Sequence, residues 1–352
     1  MGKMIVWGLI ASAFFSTSFV LYQLMSVQGG HWFWSASFRC FFMWLLLSVF
    51  ILLQNKLNPS KLIALCKLFA SHWQFWCVTG GIGLGTYGLL AFAADYAEGW
   101  VIAATYLFTV VASLVVLSFF GQSFQKKVIV YSVIVFIGVV LANVGEGLRH
   151  STSQGTDWHA LLLFGALPAF IASFCFPLGN QLIWQAAQPK GDSTHPTHEI
   201  SKAASNETRK VTSKLATSEL ATSKLLQKVP QVTSPLLSNP LHKVWLMSLG
   251  SLPMWLVLGF LVQPPAPSVS QMTISFLVAL MAGVLGTTTF LHARSLAKQP
   301  QQLAAVDATQ GSEIIFALLG GMLLLHTPMP SGLSFVGIAL VIIGLVLFAK
   351  QR

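Results

Sequence analysis

Apolar positions in this chain do not alternate, and they do not form the narrow stripe of a surface helix. They run on in blocks of twenty or so residues, broken by short polar stretches. A hydrocarbon layer about 30 Å thick is crossed by about 20 helical residues, so each block reads as a membrane span. Blocks at 4–25, 31–53, 73–95, 100–119, 128–146, 158–185, 241–262, 272–295, 302–325 and 331–349 predict ten such helices. The sixth is the longest and contains Pro168 and Pro177, so it is expected to bend. The first block follows Lys3 and has no A-x-A site, which reads as a retained anchor and not a cleaved signal.

Charge placement checks the count independently. With the connecting loops assigned alternately to two sides, eighteen of the twenty Lys and Arg residues fall on one side. Only Arg149 falls on the other, and Arg39 lies within a span. The positive-inside rule then predicts a multi-pass protein of the bacterial inner membrane with both termini cytoplasmic. Trp32, Trp34, Trp100 and Trp158 at outer span ends, and Trp73, Trp184 and Trp245 at inner ones, match interfacial belts.

One stretch differs. Residues 186–240 are rich in Ser, Thr, Lys and Pro and include Thr212-Ser-Lys-Leu-Ala, Thr217-Ser-Glu-Leu-Ala and Thr222-Ser-Lys-Leu-Leu. This reads as a flexible cytoplasmic linker between helices 6 and 7, with a frayed helix over 210–228. His195 and His198 in it have no Cys or carboxylate company and read as solvated residues, not metal ligands. Around the linker the chain divides into 1–147 and 158–352, each with five spans, and Ile137-Gly138 has a counterpart in Ile343-Gly344. Five is odd, so the second set enters the membrane with opposite orientation. The predicted fold is an all-α integral membrane protein of ten transmembrane helices in two inverted five-helix repeats. That architecture puts a substrate site near the midplane between the halves and supplies two mirror-related states.

Composition narrows the function. Apolar residues make up 55% of the chain and charged ones only 9%, too few to cover a water-soluble surface. The net charge of +10 belongs to membrane-flanking loops and not to a nucleic-acid footprint, and the four cysteines read as buried free thiols. Gly83-Leu-Gly85-Thr-Tyr-Gly88 matches G-x-G-x-x-G but sits inside an apolar span. With Gly80 and Gly81 it reads as a small-residue face for close helix packing. No phosphate loop, metal cluster or catalytic triad stands out, so neither a cofactor nor an enzyme is expected, and pumping would draw on an ion gradient.

The informative residues are the polar ones inside spans, each of which costs about 2.5–3.5 kcal/mol on insertion scales. Glu313 lies about eleven residues into span nine, about 17 Å deep at 1.5 Å per residue. Asp307 and Gln310 precede it at steps of three, so all three share an arc of about 120°. This stripe predicts a substrate- or proton-binding site, with Arg39 and Asn180 in support. The bland alternative pairs Glu313 with Arg39 or His292. For Arg39 itself, a structural ion pair and a substrate contact are both open. Arg294 reads as snorkelling. Asp95, Glu98 and Trp100 at the outer end of span three and the following turn form a candidate outer vestibule, with ordinary solvation of the acids as its alternative. Trp7, Trp44, Trp255, Tyr106 and many of the phenylalanines could line a wide apolar cavity for lipophilic cations.

These features resemble the drug/metabolite transporter superfamily, and within it the EamA-like multidrug resistance efflux transporter branch. The resemblance is carried by Ser16-Thr-Ser-Phe-Val20, by Gly29-Gly-His-Trp-Phe-Trp-Ser-Ala36 with Arg39, and by Glu98-Gly-Trp-Val-Ile-Ala103. Phe176-Pro-Leu-Gly-Asn-Gln181 and Leu303-Ala-Ala-Val-Asp-Ala-Thr-Gln-Gly-Ser-Glu313 extend it over nearly the whole chain outside the linker. It implies a secondary carrier that exports drugs or metabolites. The expected function is proton-coupled efflux by alternating access, with a small-molecule substrate and the lipid bilayer as partners; a homodimer is left open. The alternatives are a metabolite permease for amino-acid-like solutes and, from another class, a non-transporting scaffold or sensor whose linker recruits a partner.

Overall fold

The computed structural model describes residues 2–120, 126–153, 158–187, 229–296 and 306–349. Most of the predicted linker, including the pentad run, His195 and His198, lies outside the described residues. Among those described, every regular element is helical. Nine helices are long and apolar enough to cross a membrane. They are α1 (Gly2–Val27), α2 (Trp32–Gln54), α4 (Trp73–Ala93), the pair α5 (Gly99–Tyr106) and α6 (Thr109–Phe119), α7 (Lys126–Ser153), α8 (Leu161–Ala186), α9 (Pro240–Val262), α10 (Val269–Ser295) and α11 (Val306–Leu325). α12 (Gly332–Ala349) is apolar throughout, but its Gly332–Leu347 stretch is shorter than the others.

Two features depart from the block pattern. Ser60–Ser71 forms a separate helix, α3, between the second and third spans. At 12 residues it is too short to cross, and it sets Leu62, Leu65, Leu68 and Phe69 against the core. The predicted linker is also shorter than expected. Val232 is buried and donates its backbone N–H to the Ala186 carbonyl at 2.8 Å, and Leu237 is buried within the turn Pro235–Ser238. These apolar anchors tie 229–240 to the bundle, so no free linker extends to residue 240.

Backbone contact explains the glycine run. α4 lies between α8 and α9. A Cβ at Gly80 would sit 2.7 Å from the Ser251 nitrogen, and one at Gly179 would sit 2.7 Å from the Gly83 Cα. Gly80 and Gly83 are therefore a packing face, as the sequence suggested. α7 and α12 use the same device: Gly138 and Gly145 abut Gly337 and Ser334, while Gly337 and Gly344 abut Ala142 and Val135.

α8 opens with a wide π turn, Leu161–Ala166, directly before Pro168, and carries Pro177 inside it. α5 and α6 are interrupted at Leu107 and Phe108. α11 passes through a 3₁₀ turn, Thr309–Ser312, before its α-helical part begins at Glu313. That turn follows from local chemistry. Thr309 and Ser312 turn their hydroxyls back onto the Val306 and Thr309 carbonyls, both at 2.6 Å. Ser12 of α1 then satisfies the Thr309 carbonyl at 2.9 Å. Irregular backbone at membrane depth needs such partners.

Candidate functional site

The two interruptions face each other across a cavity of about 410 Å³ between the helices. Leu107, Thr109 and Val110 come from the α5–α6 break, and Asp307, Gln310 and Glu313 from the α11 turn. Arg39 of α2 and Asn180 of α8 also line it, so all five residues of the predicted polar site border one space. The walls are mostly apolar and aromatic, with Phe15, Phe19, Tyr106, Phe176 and Phe290 among them. Of the aromatics proposed from sequence, Tyr106 and these phenylalanines line it, while Trp7, Trp44 and Trp255 do not. Trp7 packs edge-on against His292, and Trp255 lies over Gly88.

Glu313 is 5% exposed. It has no hydrogen bond or ion pair among the described residues, so it is paired with neither Arg39 nor His292. It opens the α-helical part of α11, directly after the 3₁₀ turn, and its backbone N–H is bonded to the Gln310 carbonyl.

Arg39 is 4% exposed, and its surroundings are neutral. Its Nη1 donates to Ser18 Oγ at 2.9 Å and to Tyr22 Oη at 3.1 Å. The guanidinium carbon lies 3.6 Å from the Tyr87 ring centroid, and Nε has no partner. No carboxylate is within ion-pair reach among the described residues, which removes the structural ion pair expected as one alternative. Burial of an ion costs several kcal/mol. Hydrogen bonds to a charged group return about 1.5–3 kcal/mol and a desolvated cation–π contact about 2 kcal/mol. The cage therefore offsets the cost of burial but leaves the positive charge uncancelled. Ser18, Tyr22 and Tyr87 were not among the residues singled out from sequence. Tyr87 stands in the glycine run, where its neighbours mask it.

Asp307 lies 3.5 Å from Arg294, which is more than a third exposed, so Arg294 does pair and does not simply snorkel. A pair this open is worth about 0–1 kcal/mol. Arg294→Gln should accordingly shift the melting temperature little, as differential scanning fluorimetry would register.

The outer residues do not form a solvated group. Asp95 is exposed, but Glu98 and Trp100 are buried. Glu98 caps α5, and its Oε2 accepts from Trp100 Nε1 at 2.7 Å, while its Oε1 accepts from Arg149 Nη2 at 2.9 Å. Glu146 of α7, fully buried, accepts from the same arginine. Burial pushes the Glu98 carboxyl above the ordinary carboxylate range, and the Glu146 charge adds to the effect.

Comparison with known proteins adds the family. The profile described as "EmrE: Putative multidrug resistance efflux transporter" matches residues 2–352. The chain is 32% identical to "Uncharacterized protein YjlA" of Bacillus subtilis (strain 168), over 99% of this chain and 95% of that one. It is 26% identical to "Uncharacterized 42.1 kDa protein in intracellular alkaline protease 3'region" of Shouchella clausii, over 88% of this chain and 70% of that one. A solved chain described as "Crystal structure of protein" superposes with a TM-score of 0.54 at 13% identity, covering 99% of this chain and 96% of its own, a likeness of fold alone. A profile matched from end to end, together with a multi-pass helical bundle, shows that this chain belongs to the EmrE family of multidrug resistance efflux transporters within the drug/metabolite transporter superfamily.

Proposed function

We propose that the protein is a proton-coupled secondary exporter of small molecules working by alternating access, with the central cavity as its transport site and Glu313 as its coupling group. The observation that carries this reading is a carboxyl group nearly shut off from water, bordering the cavity and held by no fixed cation. Such a group can take up a proton from one side and release it to the other without first breaking an ion pair. Asp307 and Gln310 continue the polar stripe toward the paired Arg294.

Ten helices in two inverted repeats supply the alternation. The packing pattern supports this. Counting α5 and α6 as one span and omitting α3, the neighbours exchange among themselves when each span of the first half is traded for its counterpart in the second. α4 against α8 answers to α10 against α1, α6 against α8 to α11 against α1, and α4 against α9 to α10 against α2. The interrupted spans are also counterparts, and the fifth and tenth spans, α7 and α12, each bring glycines to their shared contact. The lysine-rich loops favour cytoplasmic termini in the inner membrane.

The test is pH-gradient-driven flux in proteoliposomes. Glu313→Gln should reduce it at least about a hundredfold, within the range over which loss of an essential proton-transfer group acts. Full retention of gradient-driven flux for every solute carried would overturn the coupling role. Deleting 190–228, which lies outside the described residues, should leave flux intact; a scaffold that works through this segment would lose its function instead.

A further inference from the structure

We infer that the cargo is a small zwitterion of the amino-acid type, with its carboxylate seated at Arg39 and its ammonium directed to Glu313; this rests on the reading of the cavity as the transport site. The cavity's charged groups do not cancel one another. Arg294 and Asp307 form a pair, which among the described residues leaves one cation at Arg39 and one acid at Glu313, each without an ionic partner there and both bordering the same space. Arginine does not give up its proton in proteins, so the positive charge at Arg39 is permanent. Tyr106 lines the cavity within electrostatic reach of both Arg39 and Glu313.

A ligand that completes this site brings a negative group to Arg39 and a positive one to Glu313, with an apolar remainder against Phe15, Phe19 and Phe290. At about 410 Å³ the cavity falls at the lower end of ligand-site sizes, which suits a small solute. A lipophilic cation, the cargo the family description would suggest, fits poorly. It would meet the charge of Arg39 in a low-dielectric space where like charges are hard to screen. One aromatic face of the cavity, that of Tyr87, is also taken by the guanidinium itself. The same polarity that admits a zwitterion therefore rejects a simple cation.

The experiment measures ligand-induced thermal stabilisation of the purified full-length protein. The probes are the twenty standard amino acids, the decarboxylated amine matching each neutral one (phenethylamine for phenylalanine, for example), and tetraphenylphosphonium. At least one amino acid should stabilise the protein, and its matched amine should bind about thirtyfold more weakly or worse, as expected when a buried charge loses its partner. Arg39→Gln should cost the amino acid a similar factor and leave the amine unchanged, and Arg39→Lys should recover part of the loss. Should Arg39→Gln fail to fold, the wild-type discrimination between amino acid and amine still decides. The inference is overturned if no amino acid binds, if tetraphenylphosphonium or the amines bind as tightly as any amino acid, or if Arg39→Gln binds amino acids like wild type. Counterflow of the bound amino acid in proteoliposomes separates this from the coupling mechanism. Wild-type counterflow of the amino acid that no pH gradient accelerates sinks proton coupling alone, whereas gradient-driven flux of tetraphenylphosphonium with none of any amino acid sinks the zwitterion and leaves the exporter standing.

Discussion

Gly250→Leu is expected to remove nearly all monodisperse protein from detergent extracts. At this position α9 crosses α4 with backbone against backbone: a Cβ on Gly250 would fall 2.6 Å from the Trp76 carbonyl carbon, and one on Gly80 would fall 2.8 Å from the Gly250 carbonyl carbon. Overpacking a core usually costs about 1–3 kcal/mol because side chains can turn aside. Here the obstacle is main chain, so relief requires the helices to part. Two apolar helices in lipid gain little from the hydrophobic effect and depend on close packing, so a gap at the crossing sacrifices most of what joins them. The loss would spread, because α4 also rests on α8 through Gly83 and Gly179. Gly81→Ala and Gly85→Ala in the same run are the controls. Their Cβ atoms would meet only the flexible Met254 sulfur at 3.4 Å. These two should extract normally and melt at or slightly above the wild-type temperature, since alanine is better than glycine in a helix by about 1 kcal/mol. Fluorescence-detected size exclusion and melting curves read both results. A Gly250→Leu protein that is monodisperse with an unchanged melting temperature would contradict the packing account.

The contrast between these glycines marks what sequence carries and what it does not. Nine spans and the small-residue face follow from composition over windows of about 20 residues, which is local information. Glu313 was legible for the same reason: depth along one helix and a step of three are both countable. The cage around Arg39 was not, because Ser18 and Tyr22 come from α1 and Tyr87 from α4, apart in sequence from Arg39 itself, and none of them is unusual alone. Asn180 was named on its neighbourhood and does border the cavity, but its Nδ2 is turned back to the Phe176 carbonyl at 3.0 Å. The helix α3 escaped because twelve residues with two lysines never fill a span-length window. Outer solvation of Glu98 was a fair inference from its position in a turn. It failed because the partner, Arg149, is distant in sequence and reaches in from the end of another span.

That buried cluster yields the second large effect. Arg149→Gln should destabilise the protein by about 3–5 kcal/mol at pH 8, the range found when a buried charge loses its partner. Glu98 and Glu146 share this one arginine, and without it two enclosed carboxylates face each other. The pH dependence has a definite sign. Glu98 is held above the ordinary carboxylate range by burial and then by Glu146, so the folded protein binds its proton more tightly than the unfolded chain does. The stability linked to that proton is fully present below the ordinary value of about 4.3 and is lost as pH rises through the raised one. For wild type this group therefore favours pH 5 over pH 8. In Arg149→Gln the slope should steepen, because the cation that helped to hold both anions is gone. Most of the loss should then return on acidification, when Glu98 takes up its proton. Glu146→Gln in the Arg149→Gln background should restore much of the stability at pH 8 by leaving a single carboxylate, which Trp100 still hydrogen-bonds. Thermal melts of the four proteins at both pH values form a double-mutant cycle. If Arg149→Gln costs the same at pH 5 as at pH 8 and Glu146→Gln restores nothing, the cluster is not held together by shared charge, and the arginine acts there through its hydrocarbon packing instead.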